Sequence, residues 1–132
     1  MMIQSRLGSL SILLAEDNAI NTLFVATVVN QWGCKLMVAT NGNEAVDLVS
    51  KHHFDLILMD IQMPEKDGIE AAIEIRAMAD ITKQNIPIIA LTANGLIGFE
   101  KHYFDAGMND YLTKPFREKT LYEMIEKVLK KG

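Results

Sequence analysis

Four short stretches of this sequence set reactive side chains at the ends of apolar runs. Glu16 and Asp17 close "SILLAED" (11–17), and Asp60 closes "DLILMD" (55–60). Thr92 lies near the end of "PIIALTA" (87–93), and Lys114 follows Tyr111 in "DYLTKPF" (110–116). A charge written directly after Leu56, Ile57, Leu58 and Met59 is costly to bury, so it asks for a chemical reason. Three carboxylates in one crevice repel, and each is pushed toward its neutral form unless a cation intervenes. Carboxylate, carbonyl and water oxygens are what Mg²⁺ takes. An acidic crevice with that ion, a hydroxyl and an ammonium is a place for a phosphoryl group, because cations neutralise its equatorial oxygens and the hydroxyl adds a hydrogen bond. An aspartate can itself be the nucleophile, giving an acyl phosphate.

Such chemistry needs the four stretches to meet, and the alternation along the chain supplies the means. After "SILLAED", residues 19–33 carry apolar positions at mixed three and four spacing and stop at Gly33. Residues 35–40 read as a short strand, and 43–52 as a helix with Asn43 as its N-cap. The run 55–60 is followed by a helix over 68–79, the run 87–93 by a helix over 98–107, and the strand 110–116 by a helix over 118–131. Strands apolar throughout are covered on both faces and are therefore parallel. Right-handed crossovers then give an open, doubly wound α/β sheet of five strands, flavodoxin-like, in the order 2-1-3-4-5. Ligands of such sheets bind at the carboxyl ends of the strands, where the order reverses, here between strands one and three. Four of the five strands deliver a polar group to that rim.

The totals narrow the classes further. A chain of 132 residues, 49% hydrophobic and 23% charged, suits one globular domain. Its net charge of −4 gives no basic footprint for nucleic acid. One cysteine, Cys34, excludes an internal disulfide and suits a reducing cytosol, so a cytoplasmic location is expected. No apolar run is long enough to span a membrane, and the start has no apolar core of the signal-peptide kind. Residues 1–9 read as a tail and 10–132 as the domain.

"LLAEDN", "LMDIQMPEKDG", "ALTA" and "YLTKPF", in this order and spacing, resemble the receiver domain of two-component response regulators over about residues 10–131. The stretch "EDNAIN" in particular is similar to receivers attached to hybrid histidine kinases and phosphorelays. The resemblance implies that Asp60 is the phosphoacceptor, that Glu16, Asp17 and Asp60 hold Mg²⁺ with the backbone carbonyl of Gln62, and that Lys114 pairs the phosphate. It makes Thr92 the switch hydroxyl and Tyr111 the aromatic that follows it, and implies a cis Lys114–Pro115 bond. It further implies a histidine kinase or histidine phosphotransfer domain as donor. The fourth helix, fifth strand and last helix would form the output face for a downstream protein. The chain would be a stand-alone regulator or the receiver of a hybrid sensor kinase, a signalling domain rather than a metabolic enzyme. Lys66 stands where relatives often carry Met, and Phe99 where many carry a polar residue; Gln62 and Asn94 occupy positions that tune phosphate lifetime.

Plainer readings stand beside these. Asp60, Glu16 and Asp17 could each be a turn or cap residue, Thr92 could satisfy a strand end, and Lys114 could be a solvated loop lysine. Their joint placement at one rim favours chemistry. A small aspartyl phosphatase would need a second acid two residues beyond Asp60, where Gln62 stands. A mononucleotide binder would want a glycine- or hydroxyl-rich loop where "AEDNAIN" supplies carboxylates. A receiver used only for protein binding is disfavoured by the complete motif set. His52, His53 and His102 read as surface residues, Cys34 as a small buried side chain, the eight methionines as core filler and Asp67 as a loop former with Gly68. Tyr111, Tyr103 and Phe99 fit core aromatics and a phosphorylation-sensitive surface equally.

Overall fold

The computed structural model of the chain describes residues 9–93 and 100–131. Five strands, β1 (Ser11–Ala15), β2 (Lys35–Ala39), β3 (Leu56–Asp60), β4 (Ile88–Thr92) and β5 (Asp110–Thr113), pair in parallel in the order β2-β1-β3-β4-β5. Every residue of β3 and β4 is buried, as the unbroken apolar runs require of strands covered on both sides. The crossovers are α1 (Ala19–Gln31), α2 (Gly42–Lys51), α3 (Gly68–Arg76), a short α4 (Ile81–Gln84) and α5 (Glu100–Asp105), and α6 (Glu118–Lys131) closes the fold.

Alternation along the strands splits the core into two layers. Leu14, Leu58, Leu91 and Leu112 pack with Val25, Val29 and Trp32 of the α1 side and Leu121 and Ile125 of α6. Leu13, Met59 and Ala90 face the other way, toward Ala45 and Val49 of α2, Ala71, Ala72 and Ile75 of α3 and Tyr103 of α5. Cys34 is buried in the first layer, and His52, His53 and His102 are exposed.

Several boundaries differ from the sequence expectation. Asn41, not Asn43, caps α2, its side chain accepting the Glu44 N–H; Gly42 is seated on the Lys66 carbonyl at 2.8 Å, which starts the helix two residues early. The helix expected over 68–79 ends at Arg76, and Asp80 caps the separate turn α4. Strand β5 ends at Thr113 because Pro115, joined by a cis bond to Lys114, offers no N–H to a ladder. Gly33 takes a φ of 84°, the left-handed turn that ends the α1 segment. Residues 94–99, and with them Asn94, Phe99 and the start of the helix expected at 98, lie outside the described residues.

Candidate functional site

The carboxyl ends of β1, β3, β4 and β5 meet at one rim. Glu16, Asp60 and Thr92, at 2%, 4% and 4% exposure, are the buried polar or charged side chains among the described residues, and all three lie there. Strand alternation decides how they point. Glu16, Asp60 and Lys114 each follow by two a leucine of the α1–α6 layer (Leu14, Leu58 and Leu112), so all three turn to that face. The Lys114 ammonium bridges them, 3.2 Å from Glu16 Oε1 and 3.0 Å from Asp60 Oδ2. The Lys114 N–H donates to the Thr92 carbonyl at 2.7 Å, pinning the lysine at the end of the ladder. Asp17 is exposed at the mouth of the crevice, and one oxygen from each of Glu16, Asp17 and Asp60 lies within 4.8 Å of the others.

Local structure fixes these positions. The other Glu16 oxygen accepts the Asn18 N–H at 3.1 Å, while Asn18 caps α1 by accepting the Asn21 N–H at 2.9 Å. Within "EDN" the capping thus falls to Asn18, while Glu16 and Asp17 are left to face Asp60. Asp60 Oδ1 accepts the Gln62 N–H at 3.3 Å. Beyond it the chain turns sharply, with Glu65 at φ 67° and the Lys66 N–H donating to the Pro64 carbonyl at 2.7 Å. Asp67 caps α3 in a reciprocal capping box with Glu70, the structural role expected of it. Gly68 lies so close behind Asp60 that a Cβ would stand 2.2 Å from the Asp60 carbonyl oxygen, so only glycine brings the α3 terminus this near. Lys66 pairs with Glu74 of α3, which places its charge on the loop surface rather than in the crevice.

The electrostatics of the crevice follow from crowding. Burial, then the hydrogen bond with Glu16, push the Asp60 carboxyl up to about 6, against the pull of Lys114. Burial works to lower the Lys114 ammonium, but its hydrogen bond and attraction to Asp60, and then Glu16, outweigh this and raise it. One ammonium thus faces three carboxylates. That donor set, all hard oxygen with excess negative charge, fits a divalent metal ion.

Thr92 is not part of this cluster in its side-chain direction. It follows Ala90 by two, so it turns to the α2–α3–α5 face, where its Oγ1 meets the Tyr103 hydroxyl at 3.0 Å. Tyr103 is buried, and its ring lies 5.7 Å from that of Tyr111 at 52°. Tyr111 is half-buried, donates to Glu100 Oε2 at 3.4 Å, and its phenol pKa is raised chiefly by the Glu100 charge. Sequence reasoning named Tyr111 as the aromatic that follows Thr92 when it moves; the tyrosine hydroxyl that Thr92 meets in this structure is that of Tyr103. It also passed over α1, where Ile20, beside the crevice, is 78% exposed and Leu23 on the same helix is 67% exposed. The signal was present, since 19–29 is apolar on every side and a helix of that kind cannot bury all of it against one sheet.

A fold of this order with an acidic rim, a threonine and a lysine at fixed strand ends defines a class. The sequence pattern of the response regulator receiver domain matches residues 12–126, and the chain belongs to that family. Among curated relatives it is 38% identical to the sensor protein GacS of Pseudomonas syringae pv. syringae, over 88% of this chain and 13% of that one. It is 40% identical to the hybrid signal transduction histidine kinase I of Dictyostelium discoideum, over 86% of this chain and 7% of that one. The chain therefore spans a small part of the length of these relatives. Among solved structures it is similar to the receiver domain of a sensor histidine kinase from Pseudomonas aeruginosa PAO1, which has a magnesium ion coordinated in its active-site cleft. The TM-score is 0.85 at 36% identity, with 93% of this chain and 99% of that one covered. No described helix is long and apolar enough to cross a membrane.

Proposed function

We propose that the domain is a phosphorylation-dependent switch in which Asp60 accepts a phosphoryl group from a phosphohistidine on a histidine kinase or phosphotransfer domain. The observation that carries this reading is the buried pair Glu16 and Asp60 sharing one ammonium, with Asp17 beside them. Glu16, Asp17, Asp60 and the Gln62 main-chain carbonyl would hold Mg²⁺, which when bound offsets the repulsion between carboxylate and anionic donor and polarises the phosphoryl oxygens. An Asp60 oxygen forms the new bond to phosphorus as the phosphorus–nitrogen bond to the donor imidazole breaks. The leaving nitrogen takes a proton from solvent. Lys114, already 3.0 Å from Asp60, faces the transferred oxygens, and the Thr92 hydroxyl turns toward them. Attack by water later releases inorganic phosphate and restores the carboxylate.

The groove beside the crevice is lined by Ile20, Phe24, Val25, Pro115 and Phe116 together with Glu16 and Lys114. A donor histidine carried on a helix with an apolar face would dock there and reach Asp60, which gives the apolar surface of α1 a use. On the other side, Tyr111 and Phe104 belong to the α5–β5–α6 face, which would change between two conformations and be read by a downstream protein. Within a hybrid sensor kinase the domain would act in the cytoplasm.

Intact mass after incubation with acetyl phosphate tests this reading. One phosphoryl adduct is expected on wild type with Mg²⁺, and none without Mg²⁺ or on Asp60→Asn. An unchanged adduct on Asp60→Asn would sink the assignment.

A further inference from the structure

The geometry points to Tyr103 as a positioning residue that latches Thr92 away from the phosphoryl site; this rests on the reading of Thr92 given above. Tyr103 is 4% exposed on α5, and its hydroxyl lies 3.0 Å from Thr92 Oγ1. Tyr103 and Thr92 are on the α2–α3–α5 face of the sheet, whereas the Asp60 carboxylate meets Lys114 on the opposite face. To reach an oxygen on Asp60, the Thr92 side chain has to rotate across the end of β4. That rotation carries Oγ1 away from Tyr103 and leaves a buried phenol hydroxyl without this bond. The resting state is therefore favoured by a bond that phosphorylation has to break.

The same residue is placed to report the change. Its ring packs on Tyr111, whose hydroxyl reaches Glu100 at 3.4 Å. Release of Thr92 breaks its bond with the Tyr103 hydroxyl, and a shift of the phenol is passed to the ring of Tyr111 packed against it. Tyr103 thus stands between the site and the α5–β5 surface, while Tyr111 touches that surface.

Tyr103→Phe removes the hydroxyl and keeps the ring. Titration of wild type and variant with beryllofluoride in Mg²⁺, followed calorimetrically, is expected to show about fivefold tighter binding to the variant, equivalent to about 1 kcal/mol. Affinity for Mg²⁺ alone is expected to stay within about twofold, because Thr92 takes no part in holding the ion. In a Thr92→Val background the Tyr103→Phe effect is expected to vanish. A purely structural tyrosine would lower the urea midpoint and leave the mimic affinity unmoved. Equal or weaker mimic binding by Tyr103→Phe, with wild type binding normally, overturns the latch alone. Failure of wild type to bind the mimic overturns the receiver reading and the latch with it. Should Tyr103→Phe not fold, Tyr103→Met fills the space without a hydroxyl and is held to the same outcomes.

Discussion

At the amino ends of the strands, Asp55 accepts the Ser11 N–H at 2.8 Å, and Asp110 pairs with Lys127 at 3.0 Å. Asn109 accepts from both the Ile88 N–H and Arg76 Nη2. At the carboxyl ends of the same strands, Glu16 and Asp60 share the single ammonium of Lys114, with Asp17 nearby. The residue types are alike, and the arrangement is opposite. One rim matches each of these acceptors with a donor, so its polar groups hold strand starts and loops in place. The other gathers three carboxylates about one ammonium, and burial, then the hydrogen bond with Glu16, raises the Asp60 pKa. A site of this kind gives up stability that a bound cation restores.

Disrupting the matched rim should have the largest effect on folding. Arg76 donates from Nε to the Gly107 carbonyl and from Nη1 to the Gln84 carbonyl, both at 2.8 Å, as well as to Asn109. It ties the end of α3 to the chain entering β4 and β5. Arg76→Ala strands those acceptors and is expected to cost about 3 kcal/mol in urea unfolding. Beryllofluoride affinity should hold, and a loss of mimic binding in the folded variant would show that the rims are not separable.

The unmatched rim should respond with the opposite sign. Asp60→Asn keeps the shape and removes the charge, and is expected to stabilise the domain by about 2 kcal/mol at pH 7.5 without Mg²⁺. The sign follows from linkage. A carboxyl at about 6 in the fold and 3.8 unfolded binds its proton more tightly when folded. Wild-type stability therefore falls as pH rises from about 4 to about 6, and the advantage of Asp60→Asn should disappear below pH 4. A pH-independent difference would mean that packing, not charge, separates the two proteins. Addition of Mg²⁺ at about ten times its Kd should raise wild-type stability by about 1.4 kcal/mol, and chelation should reverse it. Asp60→Asn, with one carboxylate of the proposed Mg²⁺ site gone, should gain less in the same thermal scan.

Much of this contrast was legible in the sequence because apolar strand runs announce their own ends. Glu16 with Asp17, Asp60 and Thr92 were the first polar residues after a run, Lys114 came one residue beyond Thr113, and the alternation of elements pointed to the sheet order. Features set by contacts between distant residues were not legible. Asn41 and Asn43 are equally able to cap a helix, and the choice falls to a Gly42–Lys66 contact across the fold. The end of α3 at Arg76 belongs with the loops its side chain reaches, not with helical propensity. Tyr103 occupies an inward position of its helix, and nothing local says that its hydroxyl finds Thr92. The exposed face of α1 was written in its composition, but its adjacency to the crevice had to come from the structure.

The finest test applies one chemical change at both rims. Asp55→Asn, like Asp60→Asn, replaces a carboxylate with an amide of the same shape. At the amino rim the retained oxygen still accepts the Ser11 N–H, and what is lost is the charge and its exposed pair with His53 at 3.2 Å. Exposed pairs contribute little, and a neutral acceptor binds an amide somewhat less strongly than an anion does. A loss below about 1 kcal/mol is expected, with Mg²⁺-dependent phosphorylation intact. Asp60→Asn is expected to move stability up and abolish phosphorylation. If both substitutions stabilised the fold alike, the excess charge would belong to the whole domain, in keeping with its net charge of −4, and the distinction between the rims would fail. Opposite signs would locate that excess in the crevice formed by β1, β3 and β5.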